Sequence, residues 1–374
     1  SPSTLASNIA ALICAAEFIE ERGDKGSAEF IRTYADFLES HVEQWTVTEK
    51  GTLAPGITRH YIRINPANSS QGDRGDEDPD GGELVLANQR PGDRYRYPAN
   101  QVVDAGFLEL VRFGVRKAGD PLIEDSLKVV DAVLKVDTPK GPCWRRYNHD
   151  GYGQRDDGES FDKWGVGRPW PLLTGERATY ELAAGRNVDL YLRAIENFTT
   201  GIGLIPEQIW DGPDMPDKFL TFGGATGSAI PLMWAHSEYV KLLRSVVDKR
   251  IFDLIEPVAE RYRNDKPRPV IEVWKMNRQV RAVPAGALLR VQASSPFVLH
   301  WTDDEWKTVR DTVSTPTAVA MDYADIEVAL SQTAPLRFTF FWPAESEWQG
   351  TNYQVNVQPA TQTVMGSRKA ATGE

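Results

Sequence analysis

Three short segments are dense in arginine, tryptophan, tyrosine and carboxylate residues. They are CWRRYNHDGYG from Cys143, GRPWPLLTGER from Gly167 and LIPEQIWD from Leu204. Guanidinium and carboxylate groups form directed hydrogen bonds with hydroxyls, and aromatic rings cover flat C–H surfaces. Each segment lies close to the start of a predicted helix. In a ring of helical hairpins all three would line the same end, with the composition of a carbohydrate pocket.

The composition narrows the class of ligand. The 374 residues carry a formal charge of −11, which argues against nucleic acid or an anionic membrane surface as a partner. Eleven tryptophans and twelve tyrosines suit an uncharged, polyhydroxylated ligand. Only Cys14 and Cys143 are present, so no disulfide framework is expected. The sequence shows no apolar run of about 18 residues, and we predict no membrane span.

Apolar residues at three- and four-residue steps predict helices in the first two thirds of the chain. The predicted helices cover residues 5–23, 27–45, 99–117, 121–136, 171–184, 188–200, 227–247 and 251–263. A long connection over 46–98 contains the acidic, glycine-rich stretch Asp73–Glu83. Long irregular loops at 140–170 and 201–224 hold the segments described above, which favours a functional role for them.

After residue 269 the pattern changes to alternating β-branched and aromatic residues. Strands are predicted at 270–274, 287–293, 297–301, 326–331, 336–342 and 353–357. We therefore predict a helical domain over residues 1–264, a small all-β, sandwich-like domain over 270–358 and a disordered tail over 359–374. The β domain is either a sugar-binding module or a docking domain, and its five tryptophans suit both interpretations.

The pattern Arg-Tyr-x-x-Asp-x-Tyr at Arg146, Tyr147, Asp150 and Tyr152 resembles a substrate-binding loop of glycoside hydrolase family 15. Bacterial members of this family include glucoamylases, glucodextranases and some trehalases. The segment around Trp170 is similar to the family loop whose tryptophan stacks beside bound glucose. The resemblance covers about residues 1–263.

Two further segments extend the resemblance. The pair Glu207-Gln208 is similar to the catalytic base of the family and its neighbour. The opening SPSTL resembles the helix immediately after the Trp-Glu-Glu motif that holds the general acid. The family implies an incomplete (α/α)6 barrel here, with about seven of twelve helices. The remaining five would precede Ser1, so the sequence predicts that the chain is incomplete.

The resemblance also implies roles for individual residues. Glu207 would be the catalytic base of an inverting mechanism, and Gln208 would help to orient its surroundings. Arg146 would donate hydrogen bonds to sugar hydroxyls, and Tyr147 and Asp150 would complete the loop. Trp170 and Trp144 would supply stacking walls.

Several of these residues have structural alternatives. Without the motif, Glu207 would be a surface carboxylate at a helix end, and Arg146 could form a structural ion pair with Asp150 or Asp156. Trp170 and Trp144 could be ordinary core residues. Glu176 and Arg177 are more typical of a buried structural pair than of substrate ligands.

We therefore predict an exo-acting inverting α-glucosidase that releases β-glucose from α-glucans or α-gluco-oligosaccharides. Its general acid would come from a separate N-terminal chain of the same precursor. One alternative is a non-catalytic sugar-binding or regulatory relative, and another is a glucosyltransferase that uses the same site. The bond specificity, α-1,4, α-1,6 or α,α-1,1, is left open.

No cofactor and no metal site are predicted, although calcium at Asp73–Glu83 is an open alternative to a solvated loop. A polymeric substrate favours a secreted or periplasmic enzyme, and a cytoplasmic location is left open.

Overall fold

The computed structural model describes residues 1–66, 78–264, 268 and 270–360, which form two compact units. The helical unit comprises Ser1–Ala10, Val42–Pro66 and Asp78–Arg263. The strand unit comprises Ala11–His41 and the described part of Asn264–Glu374. Residues 11–41 thus group with the strands, whereas the sequence placed them in the helical domain 1–264. Those domain bounds stay a prediction.

Nine α-helices lie within the described residues. They are α1 Pro2–Glu21, α2 Lys25–Ser40, α3 Val42–Thr46, α4 Leu108–Arg112, α5 Pro121–Leu134, α6 Pro171–Ala183, α7 Asp189–Phe198, α8 Met233–Asp248 and α9 Glu256–Tyr262. Two 3-10 helices, Ala99–Gln101 and Pro216–Lys218, add single turns. Each of the eight predicted helices overlaps at least one of these, while the number of barrel helices stays a prediction.

Helix starts follow local capping chemistry. Asp120 accepts hydrogen bonds from the backbone N–H groups of Leu122 (2.9 Å) and Ile123 (3.4 Å). Pro121 takes the first helical position, where a missing N–H costs nothing, so α5 begins at the predicted residue. Asp24 caps α2 in the same way, through a 2.9 Å bond from the backbone N–H of Ser27.

The helix predicted over 99–117 is wrong in length, because only the 3-10 turn and α4 form there. The side chain of Asp104 accepts a 2.9 Å bond from the backbone N–H of Gly106 and holds a turn before α4. Gly114, with φ +103°, ends the segment. A Cβ on Gly114 would lie 2.9 Å from the backbone nitrogen of Ala259, so only glycine fits there.

Three short antiparallel hairpins lie between the helices. They are β1 Val47–Thr48 with β2 His60–Tyr61, β3 Glu83–Val85 with β4 Arg96–Pro98, and β5 Lys135–Thr138 with β6 Gly141–Trp144. The helix predicted to reach Val136 ends at Leu134, since Lys135 pairs with Trp144 instead. The carbonyl of Trp144 then accepts a 2.8 Å bond from the backbone N–H of Trp170, one residue before α6.

The core of the helical unit reaches these loops. Helix α6 packs against both α7 and α8. One buried cluster joins them, made of Trp170, Leu172, Ala178, Val188, Ile195, Ile205, Ala235 and Leu242. Because Trp170 and Ile205 belong to two of the three segments, those segments are anchored directly on the helical core.

The strand unit contains the remaining strands, in two sheets. The strands are β7 Ile271–Trp274, β8 Ala282–Pro284, β9 Leu288–Ala293, β10 Val298–Thr302, β11 Arg310–Val313, β12 Thr315–Pro316, β13 Asp322–Glu327, β14 Leu336–Trp342, β15 Glu347–Trp348 and β16 Tyr353–Gln358. One sheet has the order β11-β10-β14-β16-β8, with β15 paired to β14, and the other β12-β13-β9-β7. Alternate residues of both sheets share one buried core, including Leu289, Ile326, Leu299 and Phe340. This packing is that of a sandwich.

Predicted and observed strands agree best where alternation is strict. Strand β14 has the predicted bounds 336–342, and its inward residues are Leu336, Phe338 and Phe340. The strand predicted at 326–331 is wrong in position, because the observed strand β13 begins earlier and ends at Glu327. Leu330, inside the predicted range, is half exposed.

Helix α2 covers the outer face of the four-stranded sheet. The ring of Phe30 lies 5.1 Å from that of Tyr323 on β13. The backbone N–H of Ala318 donates to the hydroxyl of Ser27 over 2.8 Å. His41, directly after α2, hydrogen bonds through Nε2 to Glu272 of β7 over 2.7 Å.

Helix α1 is long and apolar enough to cross a membrane by length and composition, with a mean hydropathy of 1.4 over its most apolar window. A third of that window is buried within the protein (33%), and Ile9 and Ile13 are fully buried. One such helix is weak evidence for a span, because mostly buried core helices of soluble proteins and N-terminal signal sequences meet the same criteria of length and hydropathy. The prediction of no membrane span stays a prediction.

Two predictions fall partly outside the described residues. Residues 361–374 contain most of the predicted tail 359–374, and residues 67–77 contain the first half of the acidic stretch considered for calcium.

Candidate active site

Main-chain hydrogen bonds tie the three segments together. Besides the Trp170–Trp144 bond, the N–H of Gly167 donates to the carbonyl of Asp150 over 2.7 Å. The N–H of Ile209 donates to a carbonyl in the second segment, that of Pro169, over 3.0 Å. Residue 167 has to be glycine, because a Cβ there would lie 2.4 Å from the Cβ of Asp150. The structure thus brings together the loops that the sequence assigned to one end of the helices.

Arg146 and Asp150 form a two-bond ion pair within this loop cluster. Nε of Arg146 donates to Oδ2 over 2.8 Å, and Nη2 donates to Oδ1 over 3.0 Å. Oδ1 also accepts a 3.0 Å bond from the backbone N–H of Tyr152. The Asp150 side chain is buried, whereas Arg146 is a third exposed. Among the described residues Nη1 of Arg146 has no hydrogen-bond partner, so this edge is free to donate to a ligand.

Three aromatic rings surround the Arg146 guanidinium. Its central carbon lies 4.9 Å from the ring centre of Tyr152, 5.0 Å from that of Trp170 and 5.5 Å from that of Tyr147. These are distances of cation–π contact. Asp150 thus holds one edge of the Arg146 guanidinium, and the three rings pack around the guanidinium group, so that its orientation is fixed.

Glu207 is buried in the same cluster, at 8% exposure. Its backbone N–H donates to the carbonyl of Ala229 over 2.9 Å. Nε2 of Gln208 donates to Oε1 of the Glu207 carboxylate over 3.2 Å. Burial raises the pKa of the nearby Tyr152 hydroxyl, and the negative charge of Glu207 raises it further, so this hydroxyl keeps its proton.

Two buried polar atoms of this loop cluster lack a partner among the described residues. Oε1 of Gln208 and the indole N–H of Trp170 are both buried, and neither forms a hydrogen bond with a described residue. Such groups are costly unless something else satisfies them. One acceptor and one donor are therefore left for water or for a hydroxyl-bearing ligand.

Tyr147 lies at the edge of the cluster. The Arg63 guanidinium carbon is 3.6 Å from its ring centre, and Arg63 pairs with Asp104 over 3.1 Å. Burial raises the pKa of Tyr147 and of Asp104. Sequence reasoning missed Arg63 and Asp104, since both lie outside the three segments. It named Tyr152 as part of the loop motif but gave this residue no role of its own.

Trp144 is placed differently from the other predicted site residues. It is 3% exposed, and its indole N–H donates to Asp131 over 2.9 Å. Arg177 lies over one of its rings at 5.3 Å, and Tyr191 stacks on it at 6.2 Å. These contacts favour the core interpretation over a stacking wall.

The segment after Glu207 is held by a buried carboxylate. Asp211 is 1% exposed in its side chain and binds both Arg145 and Arg168, the latter over 2.7 Å. Arg168 also lies 4.2 Å from the ring centre of Trp210. This network joins the same three segments a second time, through side chains.

Glu176 and Arg177 do not form the expected pair. Arg177 binds Asp131 over 2.6 Å and Glu181 over 2.7 Å. Burial, with the negative charge of Glu109 next in size, raises the pKa of Glu176 to about 8. Within the described residues, no group of three or more His, Cys, Asp or Glu side chains is arranged to hold a metal ion.

Comparisons with known proteins agree with the resemblance. The model of the family "Glycosyl hydrolases family 15" matches residues 1–244. A glucoamylase of Clostridium sp. (strain G0005) is 42% identical over 262 residues, which is 70% of this chain and 34% of that protein. A cycloisomaltooligosaccharide glucanotransferase of Niallia circulans is 27% identical over 97 residues, covering 23% of this chain and 10% of that protein.

Among solved structures, a crystal structure of a bacterial glucoamylase complexed with acarbose matches with a TM-score of 0.62 and 42% identity. The match covers 70% of this chain and 36% of that one. It supports a glucoamylase-like helical barrel as the fold of the helical part. The chain thus spans about a third of the length of the glucoamylases it matches, and it belongs to glycosyl hydrolase family 15.

Proposed function

We propose that this chain carries the base half of an exo-acting, inverting α-glucosidase that releases β-glucose from α-glucans or α-gluco-oligosaccharides. One observation carries the proposal. The buried Glu207 carboxylate accepts a hydrogen bond from Gln208, which also donates to the carbonyl of Tyr152, and the Tyr152 ring contacts the Arg146 guanidinium. The Glu207 carboxylate, the Arg146 guanidinium and the aromatic rings around that guanidinium thus lie within one set of loops.

In this mechanism Glu207 removes a proton from water as the water attacks the anomeric carbon. Gln208 donates a 3.2 Å hydrogen bond to Oε1 of this carboxylate. This bond fixes the direction in which the carboxylate accepts the proton.

The sugar in the innermost subsite is held by Arg146 and Trp170. Because Asp150 occupies only one edge of the Arg146 fork, Nη1 donates to sugar hydroxyls. The indole N–H of Trp170 and Oε1 of Gln208 find their missing partners in two further hydroxyls. Trp170 is 6% exposed, so it offers an edge and part of one face rather than a whole open ring.

An inverting mechanism needs a second carboxyl, about 6.5–9.5 Å from the first, that protonates the leaving oxygen. As part of the proposal we keep the prediction from the sequence that this general acid comes from a separate N-terminal polypeptide of the same precursor. The proposed reaction uses no cofactor and no metal. A secreted or periplasmic location belongs to the proposal on the ground of a polymeric substrate.

The test uses the complete enzyme, which is this chain together with the acid-bearing polypeptide. Glucose release is measured on maltose, isomaltose and trehalose, and NMR records which anomer appears first. We expect Glu207→Gln to lower kcat about a thousandfold, within the range of general-base contributions, with oligosaccharide binding retained. Glu345→Gln, at an exposed carboxylate of the strand unit, is the matched control and should leave kcat unchanged.

The outcomes separate the alternatives. First release of α-glucose would contradict inversion. Binding without any turnover by the unaltered enzyme would favour a non-catalytic sugar-binding relative. Transfer deserves its own assay, because one relative is a glucanotransferase. Longer oligosaccharides formed from maltose, lost with Glu207→Gln, would replace hydrolysis by glucosyl transfer at the same site.

A further inference from the structure

The two outer faces of the sandwich differ in what they present. Helix α2 packs on the outer face of the four-stranded sheet through Phe30 and Tyr323. The outer face of the six-stranded sheet carries a group of rings, His300, Trp306, Phe341 and Trp348, of which Trp348 is exposed and the other three are partly buried. We call this group the outer aromatic cluster.

Strand register places two rows of side chains on this face. Leu299 and Phe340 are paired and point into the core, so their neighbours in sequence point outward. One outward row is apolar and consists of Val313, Val298, Phe341 and Trp348. The other outward row is polar and consists of Asp311, His300 and Thr339.

The rings of the cluster are arranged at different angles. Trp306 lies near-parallel to His300, at 25° and 5.9 Å between ring centres. Trp348 stands almost perpendicular to His300, at 77° and 5.2 Å, and also contacts Phe341 at 5.2 Å. Trp348 is 55% exposed. The rings therefore form a surface on which Trp348 stands perpendicular to His300, rather than a flat apolar patch.

A tightly bonded loop holds Trp306 in place. The Asp304 carboxylate accepts bonds from the backbone N–H (2.9 Å) and the hydroxyl (2.6 Å) of Thr308. The Thr302 hydroxyl oxygen accepts a 3.1 Å bond from the backbone N–H of Trp306. Both Glu305 (φ +62°) and Trp306 (φ +69°) adopt left-handed backbone. This conformation is costly for side chains of this size and persists only where the surroundings enforce it.

The polar edges of the cluster are available. The indole N–H groups of Trp306 and Trp348 and Nε2 of His300 have no hydrogen-bond partner among the described residues. Nδ1 of His300 bonds to Asp311 over 2.6 Å, and the Asp311 side chain is 64% exposed. Asp311 is thus oriented by His300 and keeps free acceptor positions.

We propose that the outer aromatic cluster binds a neutral α-glucan chain, separately from the loops around Glu207. Indole faces cover the C–H face of a glucose ring, and the free N–H groups and the Asp311 carboxylate bond to its hydroxyls. A protein partner would leave these polar edges without partners in a dry interface, at a cost. Only the choice of an α-glucan rests on the proposed function; the cluster itself does not depend on the role of Glu207.

The test measures the affinity of the full chain for soluble starch and for dextran by affinity gel electrophoresis. Trp348→Ala and Trp306→Ala are each expected to weaken binding about five- to tenfold, and Asp311→Asn about threefold. Phe252→Ala removes an aromatic ring of nearly the same exposure (57%) in the helical unit and is the matched control, with unchanged binding. Trp348→Phe should restore most of the affinity.

Unchanged binding in both tryptophan variants would overturn the proposal, as would equal weakening in Phe252→Ala. The variant Arg146→Ala tests whether starch binding at the outer aromatic cluster is independent of the loops around Glu207. Retained starch binding in that variant supports an independent site. Complete loss would place all glucan binding at the loops and overturn the proposal, while leaving the proposed function intact. Thermal unfolding of each variant shows that it is folded.

Discussion

The loops around Glu207 and the outer aromatic cluster use similar residues in opposite surroundings. In the first, Trp170 is 6% exposed and the Asp150 side chain 1%; in the second, Trp348 is 55% exposed and the Asp311 side chain 64%. Burial excludes water and strengthens each charge interaction. The enclosed region can therefore fix a side chain such as Arg146 in one orientation, whereas the open one offers accessible contact area. The difference teaches that exposure, more than residue type, decides whether such side chains are held fixed or left accessible.

The largest difference between the two regions should appear when a carboxylate is neutralised. Asp150→Asn removes the charged acceptor that fixes Arg146, and we expect kcat/KM of the complete enzyme on maltose to fall about a hundredfold. Asp311→Asn breaks a similar bond on the open face and should change kcat/KM less than twofold. Equal effects of the two variants would remove the distinction between the regions.

Replacing a tryptophan by alanine should lower the free energy of unfolding more in the enclosed region than in the outer aromatic cluster. Trp170 lies in the core of the helical unit, and Trp170→Ala should lower the free energy of unfolding by about 3–5 kcal/mol. Trp348→Ala, at an exposed edge strand, should cost less than about 1 kcal/mol. Urea denaturation followed by tryptophan fluorescence measures both. A loss above 2 kcal/mol for Trp348→Ala would mean that the outer ring is structural.

Glu176 on α6 predicts a pH dependence for the stability of the helical unit. Its folded pKa of about 8 lies above the ordinary value of 4.5, so the folded state holds a proton that the unfolded state releases. Stability should therefore fall as pH rises between about 4.5 and 8. Glu176→Gln should flatten that part of the stability curve and raise the melting temperature at pH 8 relative to the unaltered chain. A parallel pH curve in this variant would contradict the assignment.

The smallest predicted effect concerns Asp304. Its contribution to stability changes with pH in the opposite direction to that of Glu176. Hydrogen bonds from Thr308 lower its pKa to about 2, so it stabilises the folded state above its ordinary pKa of 3.8 and loses that contribution as pH falls toward 2. Asp304→Ala should leave the melting temperature at pH 7 lower by a few degrees and starch binding weaker, because the Trp306 loop is released. Glu305→Ala, on the same loop, is the control.

The sequence predicted local features well and long-range contacts poorly. Strand β14 and the start of α5 followed from strict alternation and an Asp-Pro cap. Helix 99–117 failed because the Asp104 side chain holds a turn before α4 and because Gly114 ends the segment where it approaches Ala259, a long-range contact that no local pattern reveals. For the same reason the segments with Glu207 and Arg146 could be found through the family resemblance, but their junction with Arg63 and Asp104 could not.

The hydrogen bond from Gly167 to Asp150 closes the segment between them at its base. The first residues of that segment belong to the site, because the Tyr152 ring contacts Arg146 and the Tyr152 carbonyl accepts a bond from Gln208. Only the outer part, residues 157–160, can therefore vary in length while Arg146 and Trp170 keep their contacts. Exchange of this outer part is a route to engineered substrate preference. The same closure offers evolution a place to diversify specificity without rebuilding the barrel.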